Sequence, residues 1–219
     1  IPSTKATLKY RPFLVKEEKI LLLAQGSTKS KDLILAVKQI VNNCILEGDI
    51  NIDDTPTFDL EYIFLKLRAN SVSDIAKFNM TEDDGEESKV EIDLNDVEVQ
   101  HTENHSNIVA LGNDVSLEMK YPSYTTLSKI KGEEAVDVTF EMIEMCIDKV
   151  VQGEEVMELK DFSKADVKEF LDSLTSQNFR DIQNFFDGMP KLRHTVEYKV
   201  GKETKSRTFT GLADFFQSA

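Results

Sequence analysis

Leu33, Ile34, Val37, Ile40, Val41, Cys44 and Ile45 recur at i, i+1, i+4, i+7, i+8, i+11 and i+12. That spacing belongs to an α-helix with one broad apolar face, and such a face has to be buried against other elements. Ser30 suits the N-cap of this helix and Gly48 the position just past its end. Four more stripes of the same period follow. They are Leu60, Ile63, Phe64 and Leu67, then Val136, Phe140, Ile143, Ile147 and Val150, then Val167, Phe170, Leu171 and Leu174, then Phe179, Ile182 and Phe186. Ser163 and Asp166 have the spacing of a capping box, and Gly188 and Pro190 stop the last helix. Val15–Ala24 also reads as a helix, with Glu17 and Glu18 in a first turn that favours anions. From Ile20 onward it is apolar all round, which predicts burial; Gly26 closes it.

Elsewhere the period is two. Residues 4–10 place Ala6, Leu8 and Tyr10 on one face. Val90–Val99 alternates with a phase slip at Asn95-Asp96, and residues 108–111 and 115–119 flank the turn Gly112-Asn113-Asp114. Residues 195–200 and 206–210 read as a hairpin around Gly201-Lys202. The fold expected is α+β: a helical core built from both chain ends, a β-rich middle insertion and a C-terminal β-hairpin. Its parts are 1–70, a strand plus helices; 71–122, the β-rich acidic insertion; and 123–219, the helical remainder with a hairpin at 194–210 and a terminal helical turn. Val37, Ile40, Val41, Cys44, Phe64, Leu67, Phe140, Ile143 and Ile147 are the expected core.

The net charge is −14, which disfavours polyanionic partners such as nucleic acid or an anionic membrane. No apolar run approaches the ~20 residues of a membrane span. Two cysteines in 219 residues suit a reducing compartment better than a disulfide framework. The start at Ile1 has no signal-peptide pattern and no initiator Met, so further residues are expected upstream. Residues 81–104 hold ten acidic side chains and one basic. Glu82, Asp83, Asp84, Glu86 and Glu87 therefore read either as a solvated loop or as a docking element for a basic partner. Leu212, Phe215 and Phe216 are large and apolar near the chain end. They either dock on the core or insert into a partner, since termini fray unless tied down.

The sequence contains no GxGxxG, P-loop, GxSxG or HExxH pattern. His101 and His105 have a metal-like i, i+4 spacing, but on a non-helical polar stretch they read as a solvated loop. His194 starts a strand with no Cys or Ser partner near it in sequence. Cys44 and Cys146 lie on apolar helix faces, as small buried hydrophobes do. No catalytic, cofactor-binding or metal residue is assigned, and no cofactor is expected.

Four blocks, in order, resemble the T4-like phage baseplate hub assembly protein family. They are Tyr10-Arg-Pro-Phe-Leu-Val-Lys-Glu-Glu-Lys-Ile-Leu-Leu-Leu-Ala24, Phe58-Asp-Leu-Glu-Tyr-Ile-Phe-Leu-Lys-Leu-Arg-Ala69, Met119-Lys-Tyr-Pro122 and Gly211-Leu-Ala-Asp-Phe-Phe216. The resemblance implies a non-enzymatic protein that helps build the central baseplate hub, in the host cytoplasm and then in the virion tail. It implies hub, spike and tape-measure proteins as partners. A chaperone for the tape measure or another tail protein, absent from the virion, is the alternative; a hydrolase is a third reading. Some members of the family carry paired cysteines in the C-terminal hairpin, suggesting a zinc ribbon. Here that hairpin reads Tyr198-Lys-Val-Gly-Lys-Glu-Thr-Lys-Ser-Arg207, without Cys, so no zinc is expected there.

Overall fold

The structure is a computed structural model that describes residues 1–25, 30–81, 87–201 and 203–215. The chain divides into two compact units. Ile1–Gln100 and Pro190–Ala219 form the first, and His101–Met189, inserted between them, the second. The first unit begins with β1 (Lys9–Tyr10), α1 (Val15–Gln25), α2 (Ser30–Cys44), β2 (Ile45–Glu47), α3 (Thr57–Ala69), β3 (Ile75–Thr81), β4 (Glu87–Asp93) and β5 (Glu98–Gln100). The second unit holds β6 (Ile108–Gly112), β7 (Val115–Met119), α4 (Tyr124–Lys129), α5 (Ala135–Cys146), β8 (Ile147–Gln152), β9 (Glu155–Glu158), α6 (Lys164–Asp172) and α7 (Ser176–Gly188). The chain then returns to the first unit with β10 (Lys191–Val200), β11 (Glu203–Thr210) and α8 (Gly211–Asp214).

The core of the first unit is organised on α3. Leu60, Ile63, Phe64, Leu65 and Leu67 are all buried, so this helix is covered on more than one face. Val37, Ile40, Val41 and Cys44 of α2 join the same cluster, with Phe78 and Ile92 of the β3–β4 hairpin and Phe209 of β11. Strands β11, β10 and β5 form one antiparallel sheet. The phase slip at Asn95-Asp96 is a real turn between β4 and β5. Lys66 of α3 donates to the carbonyls of Leu94 (3.1 Å), Asn95 (2.6 Å) and Val97 (3.1 Å) and so holds that turn.

Near the start of α1, Glu17 is fully buried. Its carboxylate accepts from the Arg11 guanidinium at 3.0 and 3.3 Å and from the Leu14 N–H at 2.8 Å. Arg11 also donates to the Asn43 carbonyl at the end of α2 (2.9 Å), so one ion pair ties α1 to α2. The guanidinium hydrogen bond holds the Glu17 carboxyl down at about 2.

In the second unit, β6-β7-β8-β9 is an antiparallel meander. Asn113 and Asp114, both at positive φ, make the two-residue turn whose backbone twist matches that of the flanking strands. Val109, Leu117, Ile143, Ile147, Val150, Val167, Leu171, Ile182 and Phe185 form a second, separate core cluster. Ser163 and Asp166 make the expected capping box for α6, and Thr175 and Asn178 make another for α7.

The chain is α+β, but several expectations are corrected. The helices of 124–188 do not join those of 1–70 in one core; each set packs in its own cluster. From the C-terminal end only β10, β11 and α8 join the N-terminal helices. The span 71–122 is β-rich but is not one insertion, because β3–β5 belong to the first unit and β6–β7 to the second. The stripe read over 136–150 is helical only to Cys146; Ile147 and Val150 lie on β8. Phe140, expected in the core, is 40% exposed. Helix α1 is not buried all round, since Leu22 and Leu23 are 63% and 69% exposed. The strand expected over 4–10 shrinks to Lys9–Tyr10. Gly48 is not a helix cap, because α2 ends at Cys44 and β2 follows. Its φ of +134° is what favours glycine there. Gly26 lies outside the described residues.

Replacing the fully buried Phe64 with Ala should cost about 3–5 kcal/mol, read as a fall in the thermal or urea midpoint; an unchanged melt would refute its central place. Glu17 is ordinarily near 4.5 and sits near 2 in the fold. Its contribution is therefore complete above pH 4.5 and is lost as pH falls toward 2. Arg11→Met should cost on the order of 3 kcal/mol at pH 7, because it strands a buried carboxylate. Glu61 has the opposite sign: burial pushes it up to about 7, so its contribution is complete below pH 4.5 and is lost as pH rises through 7. Urea midpoints across pH should lose the acid slope in Glu17→Gln and the slope between 4.5 and 7 in Glu61→Gln.

Candidate functional site

Among the described residues, those singled out in the sequence do not form one site. Glu82, Asp83, Asp84 and Glu86 lie outside the described residues, as does Phe216; Glu87 opens β4. Leu212 and Phe215 are buried in the core of the first unit, where Phe215 packs on Phe209 with ring centroids 5.5 Å apart. The apolar tail therefore docks inward as far as it is described. His101 is exposed on a loop, whereas His105 is half-buried. The His105 ring stacks on Tyr121 (5.8 Å) and Phe185 (5.3 Å), and its Nδ1 would lie 2.9 Å from a Cβ at Gly188. Burial lowers its pKa, with His101 adding to the effect. Cys44 and Cys146 are both buried; burial pushes the Cys146 thiol up to about 12. Among the described residues no group of three or more His, Cys, Asp or Glu could hold a metal ion, and no helix is long and apolar enough to cross a membrane.

The remaining displaced carboxylates and amines each have a local structural task. Glu17 binds Arg11. Glu61 accepts from the Leu212 N–H, which pulls its carboxyl down against the larger effect of burial. Lys66 is lowered by burial while it holds the 94–97 turn.

The feature with the makings of a binding site is in the second unit. An open groove of 650 Å³ runs along α5 and α6, and an adjoining one of 360 Å³ continues over the start of α7. Phe140, Leu171 and Asp172 line both. The Phe140 ring stacks on Phe179, centroids 5.5 Å apart, and Leu174 extends the apolar floor. Val136, one turn before Phe140, is 65% exposed.

Local folding fixes the rim. Lys129 ends α4, and Lys131 follows it on the loop before α5. Glu141 Oε2 accepts from the N–H groups of Lys131 (2.6 Å) and Gly132 (3.3 Å), which holds that loop against α5. A Cβ at Gly132 would sit 2.7 Å from Asp137 Cβ and 2.9 Å from the Val138 nitrogen, so only glycine lets the loop lie this close. The Ser163–Asp166 box sets the start of α6. Lys164 and Lys168, at i and i+4, then share one face. Sequence reasoning assigned Phe140 to the core and passed over these lysines; the i, i+4 pair was the only local signal for them.

No curated protein and no solved structure matches this chain. The family model described as T4 bacteriophage base plate protein matches residues 1–217, nearly the full length given, in agreement with the four blocks of resemblance. This chain therefore belongs to the T4 bacteriophage base plate protein family.

Proposed function

We propose that the chain is a non-enzymatic assembly protein of the central baseplate hub, working through contacts with hub, spike and tape-measure proteins. The family match over 1–217 carries this reading. It is supported by the open groove of the second unit, where the half-exposed Phe140 stacks on Phe179 beside Leu174, since exposed aromatic and aliphatic side chains in a groove suit protein contacts. The protein works in the host cytoplasm during tail assembly and then resides in the baseplate. Glu82, Asp83, Asp84, Glu86 and Glu87 form a second contact element that steers a basic partner.

Deleting the gene should leave baseplates arrested before the hub is complete; normal tails in electron micrographs of such lysates would refute the reading. Quantitative mass spectrometry of purified virions should find the chain at fixed stoichiometry. Its absence from virions, with recovery from lysates bound to the tape-measure protein, would establish the chaperone alternative instead.

Neutralising the five acidic residues to Gln or Asn should slow association with a basic hub component while the thermal melt stays unchanged. The effect should shrink as salt rises, since screening limits charge to about 8 Å at physiological ionic strength. Equal association rates for the two proteins at low salt would reduce the segment to a solubilising loop.

A further inference from the structure

We propose that His105 is a proton-sensitive clasp: its neutral ring fastens the start of the second unit to that unit's end, and protonation releases it. The second unit runs from His101 to Met189. The loop that enters it carries His105, and α7, which closes it, carries Phe185 and Gly188.

The entry loop is bent to deliver the ring. His105 donates its backbone N–H to the Thr102 carbonyl (3.1 Å). Asn104, at φ +61°, takes the left-handed conformation that asparagine tolerates. The ring lands against Tyr121, just past β7, and Phe185 of α7, and those two rings stack on each other at 5.6 Å. Gly188 supplies the last wall. A glycine at a helix end is ordinarily explained by a positive φ, but Gly188 does not have one, and glycine inside a helix weakens it. What Gly188 provides is closeness. A Cβ there would lie 2.9 Å from Nδ1, 3.7 Å from Cε1 and 3.8 Å from Cγ, so a side chain would push the ring itself off α7.

The ring fits this place only while neutral. Its Nε2 is shut off from solvent, and no group among the described residues bonds to it. A neutral imidazole can leave that nitrogen as a bare acceptor, whereas an imidazolium carries N–H on both nitrogens. Protonation therefore buries a charged donor with nothing to accept from it, a costly state. The faces of Tyr121 and Phe185 attract a cation, but burial prevails and holds the pKa below its ordinary 6.5, with His101 on the same loop adding to the effect. The other charges on the elements around the ring are Glu103 on the loop, Lys120 beside Tyr121 and Asp187 beside Gly188; none reverses that direction. The fold favours the neutral form, so the clasp is complete above pH 6.5 and is lost as pH falls below it.

The test is backbone amide deuterium exchange on the full chain, corrected for intrinsic pH dependence, from about pH 7.5 to about pH 5, either side of the ordinary imidazole value. Toward acid, protection should fall severalfold over 102–107 and in the last turn of α7, while β7 and β8 keep theirs. His105→Phe, which fills the same place without titrating, should show no pH-dependent change there. Gly188→Ala should release the loop already at the neutral end. Proton NMR of the imidazole should show His105 titrating below 6.5, and His101→Gln should raise that midpoint. Unchanged protection over 102–107 at acid pH in the wild-type chain would overturn the clasp. So would wild-type pH dependence persisting in His105→Phe, or a His105 midpoint at or above the ordinary value. Where His105→Phe fails to fold, the wild-type exchange and the NMR titration decide.

Discussion

Helix α3 is buried on nearly every side, and that one constraint dictates much of the first unit. A helix with Phe58, Leu60, Ile63, Phe64, Leu65 and Leu67 all buried has no face to give to water. Its polar side chains must then find partners inside the fold or incur the cost of stranded polar groups. Asp59 accepts from the Ser3 N–H (3.1 Å) and hydroxyl, which ties down the N-terminal segment. Glu61 holds the N–H of Leu212 in the terminal turn. Lys66 holds three carbonyls between β4 and β5, and Asn70, just beyond the helix, donates to the Tyr10 hydroxyl (2.8 Å). One hydrophobic requirement thus becomes four attachments to segments far apart in sequence. It also explains why Leu212 and Phe215 pack inward: the turn that carries them is held by Glu61.

Periodicity made some of this legible. The stripe of α2 up to Cys44, that of α3, the capping box before α6, and the hairpins at 108–119 and 195–210 are local patterns with local causes, and they stand where the sequence placed them; Ile45, read as the last residue of the α2 stripe, opens β2 instead. The failure at 136–150 has a specific physical origin. Met119 pairs with Ile147 and Glu118 with Lys149, so the ladder shifts at Asp148. That extra residue sets the buried Ile147 and Val150 three apart instead of two. A bulged strand therefore imitates helical spacing and appears to prolong α5.

Other features had no local signature. Periodicity states which face of an element is apolar, not what covers it. The pattern over 136–147 was equally compatible with one shared core or with two, and only the tertiary arrangement separates them. For the same reason Phe140 read as core and Leu22 and Leu23 as buried. The Lys66 attachment was invisible because its three acceptors lie 28 to 31 residues away. The lysines along the groove were equally hidden: Lys129 ends α4, Lys131 lies on the loop after it, Lys164 and Lys168 stand on α6, and only folding places them along one groove.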